Sequence, residues 1–222
     1  MPFIYKGLKA ELKRVPVTEE DVDREIDALL AQNPGYQKDD KFAREVYGAE
    51  NMEEVRKQLM AGLRAYYDNR SELELEDQLL RRAAESLDYT PEEDQLNRAV
   101  DDALDNFKAR LSQRGLSFED YCKNTGESEE SVRQTLRPEA ETNLRVMAAV
   151  GKIGGLEGIE PSSEEIEDAC NEICARNHIS PEQLEAAYDD AFAAAIFRSV
   201  LVRKVLKFVR ENALVTEVKV ER

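Results

Sequence analysis

The chain has 222 residues, with 47 acidic side chains against 31 basic ones and a formal charge of −16. That charge repels polyanions and excludes general nucleic-acid binding, and no apolar run reaches the length, about 20 residues, that spans a bilayer. Three cysteines form no disulfide framework and fit a reducing cytoplasm, while one histidine and no tryptophan leave little for histidine-based catalysis.

The N-terminus, Met1 to Lys6, lacks the apolar core of a signal peptide. Ile4 to Val17 alternates loosely through Leu8, Ala10 and Leu12 and reads as a strand. Thr18-Glu19-Glu20-Asp21 then opens a helix over 18–32, with Val22, Ile26, Leu29 and Leu30 on one face. Residues 33–41 hold a Pro-Gly turn followed by charges and read as a linker. Asn51-Met52-Glu53-Glu54 opens a long helix over 52–87, interrupted by no proline, which predicts a rod of roughly 50 Å.

Four more starts share one grammar: a short oxygen-bearing side chain that accepts from orphan N–H groups, then acids that face the positive end of the helix dipole. They are Thr90-Pro91-Glu92-Glu93, Ser128-Glu129-Glu130-Ser131, Ser162-Ser163-Glu164-Glu165 and Ser180-Pro181-Glu182-Gln183. Pro91 and Pro181 sit where a missing N–H costs nothing. The predicted helices are 91–113, 128–153, 163–177 and 181–188, followed by 190–212 with Phe192, Ile196, Val200, Val205, Phe208 and Val209. Pro138 should kink the second of these or mark its true start. Gly151, Gly154, Gly155 and Gly158 read as a helix stop and a loop, because they match no phosphate-binding pattern. Leu214 to Val220 alternates as a second short strand, placed to pair with the first or to cover a helix end. The fold class is all-α, in thin layers, with a short terminal strand pair.

Candidate chemistry is sparse. Cys170, Cys174 and His178 share a helical face at a spacing that can ligate zinc, but no fourth ligand is evident. The cysteines also lie on the apolar stripe of Ile166 and Ile173, where small buried thiols are common. No enzyme signature, cofactor or metal emerges. The aromatic clusters are more informative. Phe107, Leu111, Leu116, Phe118 and Tyr121 gather around the 111–118 connection, and Tyr188 and Phe192 gather near another. Either they hold those tips shut or they offer apolar surface to another chain. Residues 191–210 carry Arg198, Arg203, Lys204, Lys207 and Arg210 and no acid. That helix either neutralises acidic neighbours or docks an acidic partner.

Residues 114–140 resemble the C-terminal domain of the trigger factor family. The match rests on Gly115-Leu116-Ser117, Glu119-Asp120-Tyr121, Thr125-Gly126, Ser128-Glu129-Glu130 and Leu136-Arg137-Pro138-Glu139-Ala140. Phe42-Ala43 and Met52-Glu53-Glu54-Val55-Arg56 are similar to the start of that domain. Tyr5-Lys6-Gly7-Leu8 and Val17 to Val22 resemble the segment where the family's ribosome-binding domain ends. The family's G-F-R-x-G-K docking signature is absent, and only the 33–41 linker stands where an FKBP-like isomerase domain is expected. Ribosome docking and isomerase activity therefore have no support from these residues.

The resemblance implies an elongated multi-helix body with two arms. Residues 1–41 would pack on a helical chaperone domain, 42–222, with arms near 90–155 and 160–189 and a spine of 52–87 and 190–212. It further implies an ATP-independent cytoplasmic holdase that binds unfolded or nascent polypeptides. Phe107, Leu111, Leu116, Phe118, Tyr121, Tyr188 and Phe192 are its candidate contacts. The other reading is a helical scaffold, or a homodimer, that binds one dedicated partner through the basic 198–210 helix.

Overall fold

A computed structural model describes residues 2–220. Among them are nine α-helices and one two-stranded sheet, in the order β1 (Lys9–Arg14), α1 (Glu19–Gln32), α2 (Asp40–Phe42), α3 (Met52–Glu85), α4 (Glu93–Gln113), α5 (Phe118–Thr125), α6 (Glu129–Glu157), α7 (Ser163–Asn177), α8 (Pro181–Ala186), α9 (Asp190–Glu211) and β2 (Leu214–Lys219). No helix among the described residues is long and apolar enough to cross a membrane. The chain divides into two compact units. One is built on Lys9–Gln78 with the residues from Leu214 onward, the other on Leu79–Ala213 with the N-terminal residues up to Leu8.

In the first unit the two strands pair with each other, in parallel, from Lys9 opposite Leu214 to Arg14 opposite Lys219. β1 buries Ala10 and Leu12 on one face and turns Lys9, Glu11 and Lys13 to solvent. Arg14 fixes the far end of the sheet, donating to Asp68 at 3.0 Å and to Glu217 at 3.2 Å. The core joins α1 to the start of α3 through Val22, Ile26, Ala43, Ala49 and Val55. Thr18 and Asp21 cap α1 reciprocally, which satisfies orphan donors at both positions.

The 33–41 segment is more ordered than its composition suggests. Asn33 donates to the Leu29 carbonyl at 2.8 Å, and Asp23 on α1 receives both Lys38 and Arg56. Asp39 caps the single turn of α2, which runs into a π-helical turn, Ala43–Tyr47, closed by Gly48 in the left-handed region. The wider turn keeps Phe42 and Ala43 buried while the chain reverses toward α3.

In the second unit Leu96, Val100 and Ala140 lock α4 to α6. Ala169, Ile196 and Val200 lock α7 to α9, and Phe3 packs on Ala84, Leu87 and Ala149. Exposed pairs such as Arg133–Asp101 and Arg137–Glu93 also bridge α4 and α6. Solvent screens them, so the apolar seam holds this hairpin.

Three sequence expectations change here, and the alternative left at Pro138 is decided. The cap of α4 is Glu92, which closes a box with Gln95, and the buried Pro91 lies ahead of it. α6 starts behind Ser128, so Pro138 is inside the helix and does not mark its start. α5, capped by Ser117, occupies residues read as connection. The glycine-rich segment is not a loop: α6 runs through Gly151, Gly154 and Gly155 and stops at Gly158, which takes φ 64°. A Cβ on Gly154 would lie 3.2 Å from Leu201 Cδ1 and 3.3 Å from the Ile159 carbonyl oxygen. Close approach of α9, and not chain reversal, accounts for that glycine.

Candidate functional site

The tip between α4 and α5 is built by a Schellman turn. The N–H of Gly115 donates to Ser112 O at 2.9 Å and that of Leu116 to Leu111 O at 3.0 Å, with Gly115 at φ 74°. Ser117 then caps α5. This turn brings three predicted rings together. Phe107 meets Tyr121 edge-on at 5.1 Å and Phe118 edge-on at 6.3 Å, and Phe118 stacks on Tyr121 at 6.3 Å. Edge-on contact sets the positive rim of one ring against the negative face of another. All five predicted residues, Phe107, Leu111, Leu116, Phe118 and Tyr121, are half-buried. Each keeps part of its surface toward solvent. The rim is polar: Lys108 Nζ lies 4.8 Å over the Phe118 ring, and Tyr121 donates to Glu127 at 2.9 Å. The Glu127 bond, with partial burial behind it, pushes the Tyr121 hydroxyl above its ordinary range.

The second cluster stands on a groove. Ser180 and Gln183 cap α8 reciprocally and set its first turn, with Pro181 in it, against α7. Between the two helices lies an open groove of about 580 Å³. Its apolar lining is Cys170, Cys174, Pro181, Leu184 and Tyr188, and Glu167, Asn171 and Glu185 complete it. Tyr188 is 45% exposed and meets Phe192 edge-on at 5.5 Å; Phe192 itself packs on the α7–α9 core. Of the two predicted residues, only Tyr188 lines the groove. Leu184 and the two thiols as lining were not foreseen. The available signal was the Ser180–Gln183 box, which turns Leu184 toward α7. A smaller groove of about 370 Å³ lies on the α4–α6 hairpin, lined by Tyr89, Ala99, Leu144 and Met147 among others.

Burial, reinforced by Cys174 and Glu167, pushes the Cys170 thiol up, which disfavours the nucleophilic thiolate. His178 is exposed at the C-cap of α7 in the left-handed region, φ 54°, and does not line the groove. Among the described residues no group of three or more side chains is placed to hold a metal.

The basic stripe of α9 is partly spent on α7. Arg203 pairs with Glu172 at 3.1 Å, and Lys204 donates to Glu165 at 2.7 Å and to the Glu160 carbonyl at 2.8 Å. Arg198 and Lys207 are exposed. The Lys204 bond, with the Ser162 N–H at 2.7 Å, holds the Glu165 carboxyl below its ordinary range. The unfolded chain therefore takes up this proton at higher pH than the folded one. The contribution is complete above the ordinary glutamate value, about 4.3, and is lost as pH falls through the lower folded value. Thermal melts followed by circular dichroism should show constant stability from neutrality down to about pH 5, then a decline. Glu165→Gln should melt earlier at pH 7 and decline less on acidification.

Comparison with known proteins decides the family. Residues 51–211 match the model of the bacterial trigger factor protein C-terminus. The chain belongs to the trigger factor C-terminal family. It is 31% identical to the trigger factor of Pelotomaculum thermopropionicum over 180 residues, which cover 81% of this chain and 41% of that one. It is likewise 31% identical to trigger factor 1 of Desulfitobacterium hafniense over 176 residues, 79% of this chain and 41% of that one. A solved structure of the trigger factor chaperone, concerned with promiscuous substrate recognition in folding and assembly, is 22% identical with a TM-score of 0.45, covering 79% of this chain and 43% of that one. The chain thus spans about two-fifths of the length of the curated trigger factors it matches. The matched segment contains α3 to α9, and with them both aromatic clusters and the α7–α8 groove.

Proposed function

We propose that this chain is an ATP-independent chaperone that holds exposed apolar stretches of unfolded or nascent polypeptides in the cytoplasm. The observation that carries the reading is the open groove between α7 and α8, with Cys170, Cys174 and Leu184 within it and a half-exposed Tyr188 in its wall. Membership of the trigger factor family and the half-buried rings at the α4–α5 tip support it. The mechanism needs no chemical step. A client side chain entering the groove or covering the tip leaves water, which is worth at most about 1.5–3 kcal/mol per large residue before ordering costs. Several such weak contacts give fast release. The formal charge of −16 keeps complexes apart through like-charge repulsion.

The scaffold reading, one dedicated acidic partner on the basic helix, is disfavoured because Arg203 and Lys204 already neutralise α7. Light scattering with several unrelated denatured proteins separates the two. Suppression of aggregation across clients, weakly dependent on salt, is the expected result. Tyr188→Ser and Phe118→Ser should each remove about half of one side chain's burial, about 1 kcal/mol or roughly fivefold in the concentration needed. Phe197→Ser, an exposed ring outside both clusters, should leave protection unchanged. Absence of protection, or equal loss in all three variants, would reject the assignment.

A further inference from the structure

Two thiols line the α7–α8 groove, the half-buried Cys170 and the buried Cys174, and both are free. α7 is regular across them. Ser162 and Glu165 cap its start reciprocally, and at its end the Cys174 carbonyl accepts from the N–H of His178 and, at 3.1 Å, from that of Ile179. The spacing is therefore that of a helix, in which residues four apart stand on one face with Cβ atoms about 5–6 Å apart. A disulfide needs Cβ atoms about 3.5–4.5 Å apart, so these thiols cannot join each other unless α7 unwinds.

We propose that Cys170 and Cys174 form a two-coordinate site for a soft monovalent cation, Cu(I). The spacing that is too wide for a disulfide leaves room for an ion between the sulfurs. Two metal–sulfur bonds of about 2.3 Å span at most about 4.6 Å, which is within reach of two cysteine side chains leaning together on one helix face. The donor set selects the ion. Thiolates suit soft metals, Cu(I) and zinc among them. Zinc takes four ligands, and among the described residues no group of three or more histidine, cysteine or carboxylate side chains could hold a metal. His178, which the sequence spaces to join the thiols, caps α7 and does not line the groove. A cation satisfied by two thiolates remains. Pro181, Leu184 and Tyr188 make the rest of the lining largely apolar, which disfavours hard, strongly hydrated ions, while Glu167 and Glu185 draw positive charge toward it. On binding, two sulfur–copper bonds form and the two thiol protons leave to water. No electron moves, because the ion arrives as Cu(I).

Ion binding does not require that the groove hold clients, and the experiment follows the ion alone. The reduced chain is titrated with Cu(I), without oxygen, in competition with the chromogenic chelator bathocuproine disulfonate. One ion per chain should be withheld from the chelator. Cys170→Ala and Cys174→Ala should each lose that ion, while Cys122→Ala, which removes the thiol on α5, should keep it. Alanine preserves a small apolar side chain, and far-ultraviolet circular dichroism checks that each variant is folded. Cys174→Ala combined with Asp168→Cys keeps three thiols but sets two of them two residues apart on α7, where side chains do not face each other. It should fail to withhold the ion. Binding that survives either single α7 variant, that follows Cys122, or that persists in the relocated pair would overturn the site, as would a parent chain that yields all its copper to the chelator. So would a parent chain that holds Zn(II) as firmly as Cu(I), which would require a fuller ligand set.

Discussion

Phe42→Ala should lower the stability of the Lys9–Gln78 unit by about 3–5 kcal/mol. Phe42 is the bulkiest fully buried side chain among the described residues. It stands where α2 runs into the π-helical turn, and it meets Tyr36 edge-on at 6.2 Å. Truncation removes both the transfer free energy of the ring and its packing, and the turn around it is held by backbone bonds that resist collapse into the cavity. A loss of that size is a large part of the total stability of an ordinary domain, about 5–15 kcal/mol. Urea unfolding followed by circular dichroism would measure it; the chain has no tryptophan, so tyrosine emission is the second probe. A shift below about 1 kcal/mol would show that the Phe42 ring is not tightly packed where it is buried.

The second large effect concerns three neighbouring glycines of α6 that should respond in opposite directions. At Gly154 a Cβ already crowds Leu201 Cδ1 and the Ile159 carbonyl oxygen, and the carbonyl belongs to backbone that cannot rotate away. Gly154→Val adds two further methyl groups at the α6–α9 crossing and should destabilise by about 1–3 kcal/mol or more through overpacking. Gly151 and Gly155 face open space. In a helix interior, Gly151→Ala and Gly155→Ala should each stabilise by about 0.5–1 kcal/mol, because alanine gives up less backbone freedom on folding. Thermal melts of the three single variants, compared at one concentration, test the contrast. If Gly154→Val melts like the parent, α9 does not approach α6 as closely as described.

Those glycines also show where sequence reasoning stopped. Three glycines in five residues read as a break, because each weakens a helix locally and nothing in the local pattern offsets it. The offset is non-local: α9, some fifty residues on, packs where Gly154 has no side chain. α5 escaped for a related reason. It is short, it buries no residue, and its Ser117 cap was absorbed into the aromatic cluster around it. The caps at Thr18, Ser128, Ser162 and Ser180 were legible because capping is a contact between residues three apart. At Thr90 the same pattern misled: Glu92 took the cap two residues later, and Pro91 was buried ahead of the helix instead of opening it.

The candidate site divides in the same way. The rings around 107–121 lie close in sequence, across one turn, so their gathering could be foreseen. The α7–α8 groove could not, because its thiols read as ligands or as part of an apolar stripe, and nothing close to Leu184 in the chain marks it as lining.

By itself the sequence determined that this chain is helical, where most helices begin, which face α1 and α9 bury, and which family it belongs to. These follow from contacts within a few residues and from a motif string. Tertiary structure alone decided that the terminal strands pair in parallel, that the glycine segment is helix, that Arg203 and Lys204 serve α7, and that a groove opens between α7 and α8. Each depends on residues far apart in the chain, whose meeting is set by packing and which no local propensity encodes.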